Sequence, residues 1–230
     1  PARAVGSSVP PGSAAVGPRP GPSALAPKHV ARVGANKASK PTTTAYPWHA
    51  DTSIQPLKAH DNLHTRFAPP SGFVRLDVAA GSFGAWLRGL PLAAPGTPVL
   101  DHAGNVIVDR DHPNLAAVST LDVGKRDLQQ CADAVMRLHG EWLWHGGRAD
   151  EASYRSGGGA IGWRRYRGGQ RPTAKGNRFV WVSRRPAAAD DHAAYRRYLD
   201  DVFMWANTVS LAQSTQRPVP TEVIPGDFFV

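Results

Sequence analysis

Apolar and polar residues along this chain alternate with two periods, and the change from one to the other predicts strands first and long helices later. Phe73-Val74-Arg75-Leu76-Asp77-Val78 alternates in its second half as a half-buried strand does. Ser82 is placed to cap a short helix over Phe83, Trp86, Leu87 and Leu90, which Pro91 ends. Val99-Leu100 and Asn105-Val106-Ile107-Val108 flank Asp101-His102-Ala103-Gly104 and read as a hairpin, with Ala117 to Leu121 as a further strand. From Leu128 to Trp144 the period becomes helical. Leu128, Cys131, Val135, Leu138 and Trp142 are spaced by three and four residues, and Gly146-Gly147 stops the helix. A second helix is predicted from His192 to Leu211, capped by Asp190 or Asp191, with Tyr195, Leu199, Val202, Ala206 and Val209 on one face. Phe179-Val180-Trp181-Val182 reads as a strand between them, after a glycine turn at Gly168-Gly169. These elements predict an α+β domain in which an antiparallel or mixed sheet packs against two long amphipathic helices.

The first 45 of the 230 residues are rich in Pro, Gly, Ala and Ser. They read as a disordered basic arm, leaving residues 46–230 as one folding unit, with Tyr46-Pro47-Trp48-His49 the first segment able to dock. The chain closes on Pro225-Gly226-Asp227 turn chemistry followed by Phe228-Phe229-Val230, the opening of a strand. The domain is therefore expected to be incomplete at its C-terminal end. No run reaches the roughly 18 apolar residues of a membrane span. The Pro-rich tether suits an exported or lipid-anchored protein.

The formal charge of +9 is unevenly placed. Residues 1–50 hold six basic groups and no acid, and 152–189 hold nine more, again without an acid. That leaves 12 basic against 18 acidic residues elsewhere. The second basic stretch interleaves Arg155, Arg164, Arg165, Arg167 and Arg171 with Tyr154, Trp163, Tyr166, Phe179 and Trp181. Cations among stacking rings suit an anionic partner, and Arg155, Trp163, Arg164, Arg165, Tyr166, Arg167 and Arg171 form the candidate binding set. A cell-envelope polymer or peptide is the expected partner, with nucleic acid less favoured. The bland alternative is a solvated basic face over rings that belong to the core.

One cysteine cannot form an internal disulfide, so Cys131 is either core or chemistry. If Asp127 caps the helix, with Gln130 reaching back, Cys131 lies in the first turn, where the helix dipole favours a thiolate. If Asp122 is the cap, Cys131 lies more than two turns in, and its place on the apolar stripe favours core packing. His139 and His145 are two or more turns away and cannot act as its base from the same straight helix. Asp101, His102, Asp109, Asp111 and His112 lack metal-site spacing, and neither a metal nor another cofactor is expected. Ser156-Gly157-Gly158-Gly159 has the glycines of a phosphate loop without its Lys-Ser/Thr tail.

The run Asp127-Leu128-Gln129-Gln130-Cys131-Ala132-Asp133-Ala134-Val135-Met136-Arg137-Leu138 resembles the signature of an uncharacterised bacterial family, domain of unknown function 4846. Arg66-Phe67, Gly81-Ser82-Phe83, Trp86-Leu87-Arg88, Leu90-Pro91-Leu92, Asp122 with Gly124, Gly176-Asn177, Val202-Phe203 and Pro225-Gly226-Asp227-Phe228 match in order. The resemblance implies an export signal and a continuation, beyond the last strand here, that carries a histidine. It also implies a bulky apolar or aromatic residue in the stretch occupied here by Ser156 to Gly159. A cysteine at a helix start with a later histidine on a strand is similar to the layout of NlpC/P60-like and papain-like hydrolases. On that reading the protein is an extracytoplasmic cysteine amide hydrolase, with Cys131 as nucleophile, Gln130 as an oxyanion contributor, and the base outside this chain. The alternative is a non-catalytic module that binds an anionic polymer.

Overall fold

The computed structural model describes residues 46–49, 57–188, 190–216 and 223–229. Helices and antiparallel strands are both present, so the class is α+β. Among the described residues the strands do not merge into one sheet but form four two-stranded antiparallel ladders. Strand β1 (Asp61–Asn62) pairs with β2 (Pro91–Leu92), and β3 (Val99–Leu100) pairs with β4 (Val106–Val108). Strand β5 (Ser153–Ser156) pairs with β6 (Gly159–Gly162), and β7 (Gln170–Lys175) with β8 (Arg178–Ser183).

The predicted strand at Phe73–Val78 is absent. Its backbone pairs with no strand, and Phe73 and Val74 are 71 % and 89 % exposed. β-propensity measures fit to a packed pleated surface, and nothing offers this segment such a surface. The predicted strand at Ala117–Leu121 survives as one bridge, Ser119 to Leu92. Ser156 to Gly159 is neither a phosphate loop nor irregular: Gly157-Gly158 are the two-residue turn of the β5–β6 hairpin. A Cβ on Gly158 would lie 2.8 Å from the Phe179 ring, so the close approach of β8 requires glycine there.

The helices are α1 (Leu63–Arg66), α2 (Phe83–Arg88), α3 (Cys131–His145), α4 (Trp163–Arg167), α5 (His192–Trp205) and α6 (Thr208–Ser214). Ser82 caps α2 as predicted, its hydroxyl accepting from the Ala85 N–H at 3.2 Å. Asp191 caps α5, accepting from the Ala194 N–H at 2.8 Å. The second long helix is interrupted. Asn207 accepts from the Ser210 N–H at 2.9 Å while its own N–H donates to the Ser210 hydroxyl at 2.8 Å, and this box starts α6. The break rotates the following turn, so Val209 points outward at 63 % exposure instead of continuing the stripe of Tyr195, Leu199 and Val202.

The main core joins Met136 and Leu143 of α3 with Tyr195, Tyr198, Leu199 and Val202 of α5, Trp163 and Tyr166 of α4, and Ile161 of β6. The two long helices approach closely at Gly140, where an added Cβ would lie 3.0 Å from Leu199; the Tyr195 hydroxyl donates to the Gly140 carbonyl at 3.0 Å. A second cluster gathers Trp48, Trp86 and Leu90, flanked by Leu138 and Trp142 of α3. The Tyr46–His49 segment docks into it. Trp48 is buried, its indole N–H donates to the Thr120 hydroxyl at 3.3 Å, and the Tyr46 hydroxyl donates to the Trp86 carbonyl at 3.0 Å.

Candidate functional site

Helix α3 begins later than either sequence-based cap predicts. Gln130 is the N-cap, and Cys131 is the first helical residue. The Gln130 N–H donates to the Asp133 carboxylate at 3.1 Å, which anchors the first turn from the third helical position. Cys131 is exposed. The expectation that it packs in the core is therefore overturned, and the reason lies in which face of α3 is buried. The most buried positions are Ala132, Asp133, Met136, Arg137, Gly140, Glu141 and Leu143. That face is displaced from the apolar stripe because two of its largest members carry charge.

Arg137 and Glu141 pair at 2.8 Å with both side chains fully buried. The remaining Arg137 donors reach the Asp122 carboxylate at 3.0 Å and the Asp122 carbonyl at 2.9 Å, while His192 Nε2 lies 2.9 Å from the second Glu141 oxygen. Burial pushes the Glu141 carboxyl up, but Arg137 and His192 together hold it below the usual carboxylate range. Asp122 thus does not cap α3; it ties the approaching loop to the helix. Its other oxygen accepts from the Gly124 N–H at 2.9 Å. Gly124 has φ +78°, and an added Cβ would lie 2.9 Å from an Arg196 terminal nitrogen, so the Asp-x-Gly spacing is required by this turn.

The loop and helix enclose a cleft of about 450 Å³. Leu90, Val99, Leu121 and Leu138 provide apolar wall, and Asp101, Ser119, Thr120 and Gln129 provide polar groups. Ala134 and Leu138 of α3 line it, and Cys131 is three and seven residues before them, on the same side of the helix. Gln130 is exposed beside Cys131. The N–H groups of Cys131 and Ala132 precede the first intrahelical bond, from the Ala134 N–H to the Gln130 carbonyl, and so lie at the donor end of the helix. No base is hydrogen-bonded to Cys131 among the described residues. His139 Nδ1 is 3.1 Å from the Tyr154 hydroxyl, and His145 Nδ1 accepts from the Trp86 indole at 3.2 Å.

The basic stretch divides differently from its composition. Trp163 and Tyr166 are 1 % and 4 % exposed, so both are corrected from candidate binding rings to core. Arg171 is engaged internally: it covers the Tyr166 ring at 3.7 Å and donates to the Tyr166 and Arg185 carbonyls. Arg167 pairs with Asp150 at 3.0 Å. Arg155, Arg164 and Arg165 remain exposed, with Arg165 over the Trp181 ring at 4.0 Å. Asp101 shapes its own turn, accepting from the Ala103 and Asn105 N–H groups at 2.8 Å each. Sequence patterning missed the Arg137–Glu141–His192 network and the cleft. An i,i+4 Arg-Glu pair reads as a solvated face unless the surrounding burial is known.

The model of the family domain of unknown function (4846) matches residues 63–230. The chain belongs to this family. No curated protein matches it, and no solved structure does. Within the DUF4846 match lie Cys131, the Asp122–Arg137 clamp and the walls of the cleft apart from Leu57, whereas Tyr46–His49 docks from outside it. None of the helices among the described residues is long and apolar enough to cross a membrane.

Burial lowers His139, with Arg148 adding to the effect, and it also lowers His49 and His145. The unfolded chain therefore takes up protons near the ordinary histidine range before the folded chain does, so stability rises with pH there and is lost as pH falls through it. Thermal unfolding from pH 7.5 to 5.5 is expected to show a midpoint falling by a few degrees. A His139→Gln variant should show a flatter profile, and an unchanged slope would contradict this assignment.

Proposed function

We propose that this DUF4846 domain is an extracytoplasmic thiol hydrolase of amide substrates, with Cys131 as nucleophile. The observation behind this reading is the exposed position of Cys131 as the first residue of a 15-residue helix, on the side that borders the cleft. At that position the N–H groups of Cys131 and Ala132, which precede the first intrahelical bond, can receive a developing oxyanion, with the Gln130 side chain beside them. A general base comes from outside the described residues. In the intact chain at pH 7, iodoacetamide should alkylate Cys131 at least about tenfold faster than free cysteine, as activated thiols do. A rate at or below that of free cysteine would overturn the assignment.

A second reading rests on the exposure of Arg155, Arg164 and Arg165 beside Trp181. This face would hold an anionic envelope polymer. Retention on heparin should fall steeply with salt and should weaken in Arg164→Ala/Arg165→Ala. Unchanged retention in that variant removes this face from consideration.

A further inference from the structure

The cleft carries an unused strand edge. At the bridge between Leu92 and Ser119 the flanking hydrogen bonds run from the Ala93 N–H to the Val118 carbonyl (2.8 Å) and from the Thr120 N–H to the Pro91 carbonyl (3.0 Å). Leu92 directs its own carbonyl the other way, where it accepts from the His60 N–H at 2.8 Å. This is the pattern of a non-hydrogen-bonded antiparallel pair, so the N–H and carbonyl of Ser119 point away from β2. Neither group has a backbone partner among the described residues, and Ser119 lines the cleft. An extended backbone laid along that edge would find one donor and one acceptor with the spacing of a further strand.

The lining also states which side chains such a strand should carry. Residues alternate between the two sides of a strand, so every second side chain would face the cleft. Leu90, Leu121 and Leu138 offer it an apolar seat. The charged residues of the lining are Asp101 and Asp122, with no Lys, Arg or His. Arg137 neutralises Asp122, whereas the carboxylate of Asp101 accepts from the neutral donors of its own turn, with the exposed His102 next to it in the chain. The charge left uncompensated at the cleft is therefore negative and calls for a cationic group.

We propose that the cleft binds an extended peptide by strand addition at Ser119, seating an apolar side chain among Leu90, Leu121 and Leu138 and a lysine or arginine of the same peptide against Asp101. As the substrate class of the thiol hydrolase this rests on that reading, but the binding itself uses no thiol. It is therefore tested on the full chain carrying Cys131→Ala, by fluorescence anisotropy with labelled hexapeptides. The probe is Thr-Lys-Val-Leu-Thr-Lys, blocked at both ends. Comparators replace Val-Leu with Ser-Ser, replace both lysines with glutamate, or N-methylate the central Val and Leu.

The probe should saturate, and each comparator should bind at least about tenfold more weakly, the scale of about 1.4 kcal/mol that one lost backbone hydrogen bond or apolar anchor supplies. Asp101→Asn should narrow the preference for lysine over glutamate. Equal binding of the N-methylated peptide would overturn strand addition, and no saturation at millimolar peptide would overturn the site. Saturable binding beside an unreactive thiol in the unmodified chain would retain the site and reject the hydrolase. A reactive thiol without peptide binding would do the reverse.

Discussion

Arg137→Met is expected to destabilise the protein by about 3–5 kcal/mol, because it removes one partner of a buried ion pair and leaves Glu141 without its cation. The side chains of both residues are fully buried, and the same guanidinium also satisfies the carboxylate and carbonyl of Asp122. For a chain of this size the loss corresponds to a fall of about 10 °C in the unfolding midpoint. The cost comes from stranded charge rather than lost volume, since methionine retains much of the stem. Adding Glu141→Leu to Arg137→Met should therefore recover part of the loss. Urea unfolding of both single variants and the double variant measures this directly. Additive losses would show that the pair is not coupled.

Trp48→Ala should cost about 3–5 kcal/mol, the range for removing a large buried aromatic side chain. Its ring lies 4.9 Å from Tyr46 and 6.0 Å from Trp86, and its N–H reaches Thr120. The measurement also asks whether residues before the family-matched region unfold with it. A loss below about 1 kcal/mol would mean that Tyr46–His49 detaches on its own, so that its packing adds little to the cooperative unit.

Periodicity was sufficient wherever one side of an element is apolar and the other wet. The existence of α3 and α5 was legible on that basis, whereas the α2 cap at Ser82 and the β3–β4 hairpin were legible from cap and turn chemistry, and strand β8 from its aromatic and β-branched run. It failed where burial and polarity part company. On α3 the pattern selected the side holding Cys131, while the most buried side includes Arg137 and Glu141, whose partners lie at Asp122 and His192. No local window contains those partners. Phe73–Val78 failed the other way, since its strand-like composition has no neighbour to pair with. The aromatic residues of the basic stretch were misassigned because composition cannot separate Trp163, which is core, from Arg164 beside it, which is solvated.

The sequence offered the thiol and its neighbour Gln130 as candidates but gave no sign of the cleft. The walls of the cleft come from segments near residues 57, 90, 99, 118 and 134, and only the tertiary fold brings them together.

Helix α3 contributes Met136 and Leu143 to one core cluster and Leu138 and Trp142 to the border of the other. It therefore acts as a shared wall between two compartments. Neither compartment can loosen without exposing part of this helix, and the helix cannot fray from its middle without opening both. Breathing motions of the domain should accordingly be confined to its periphery.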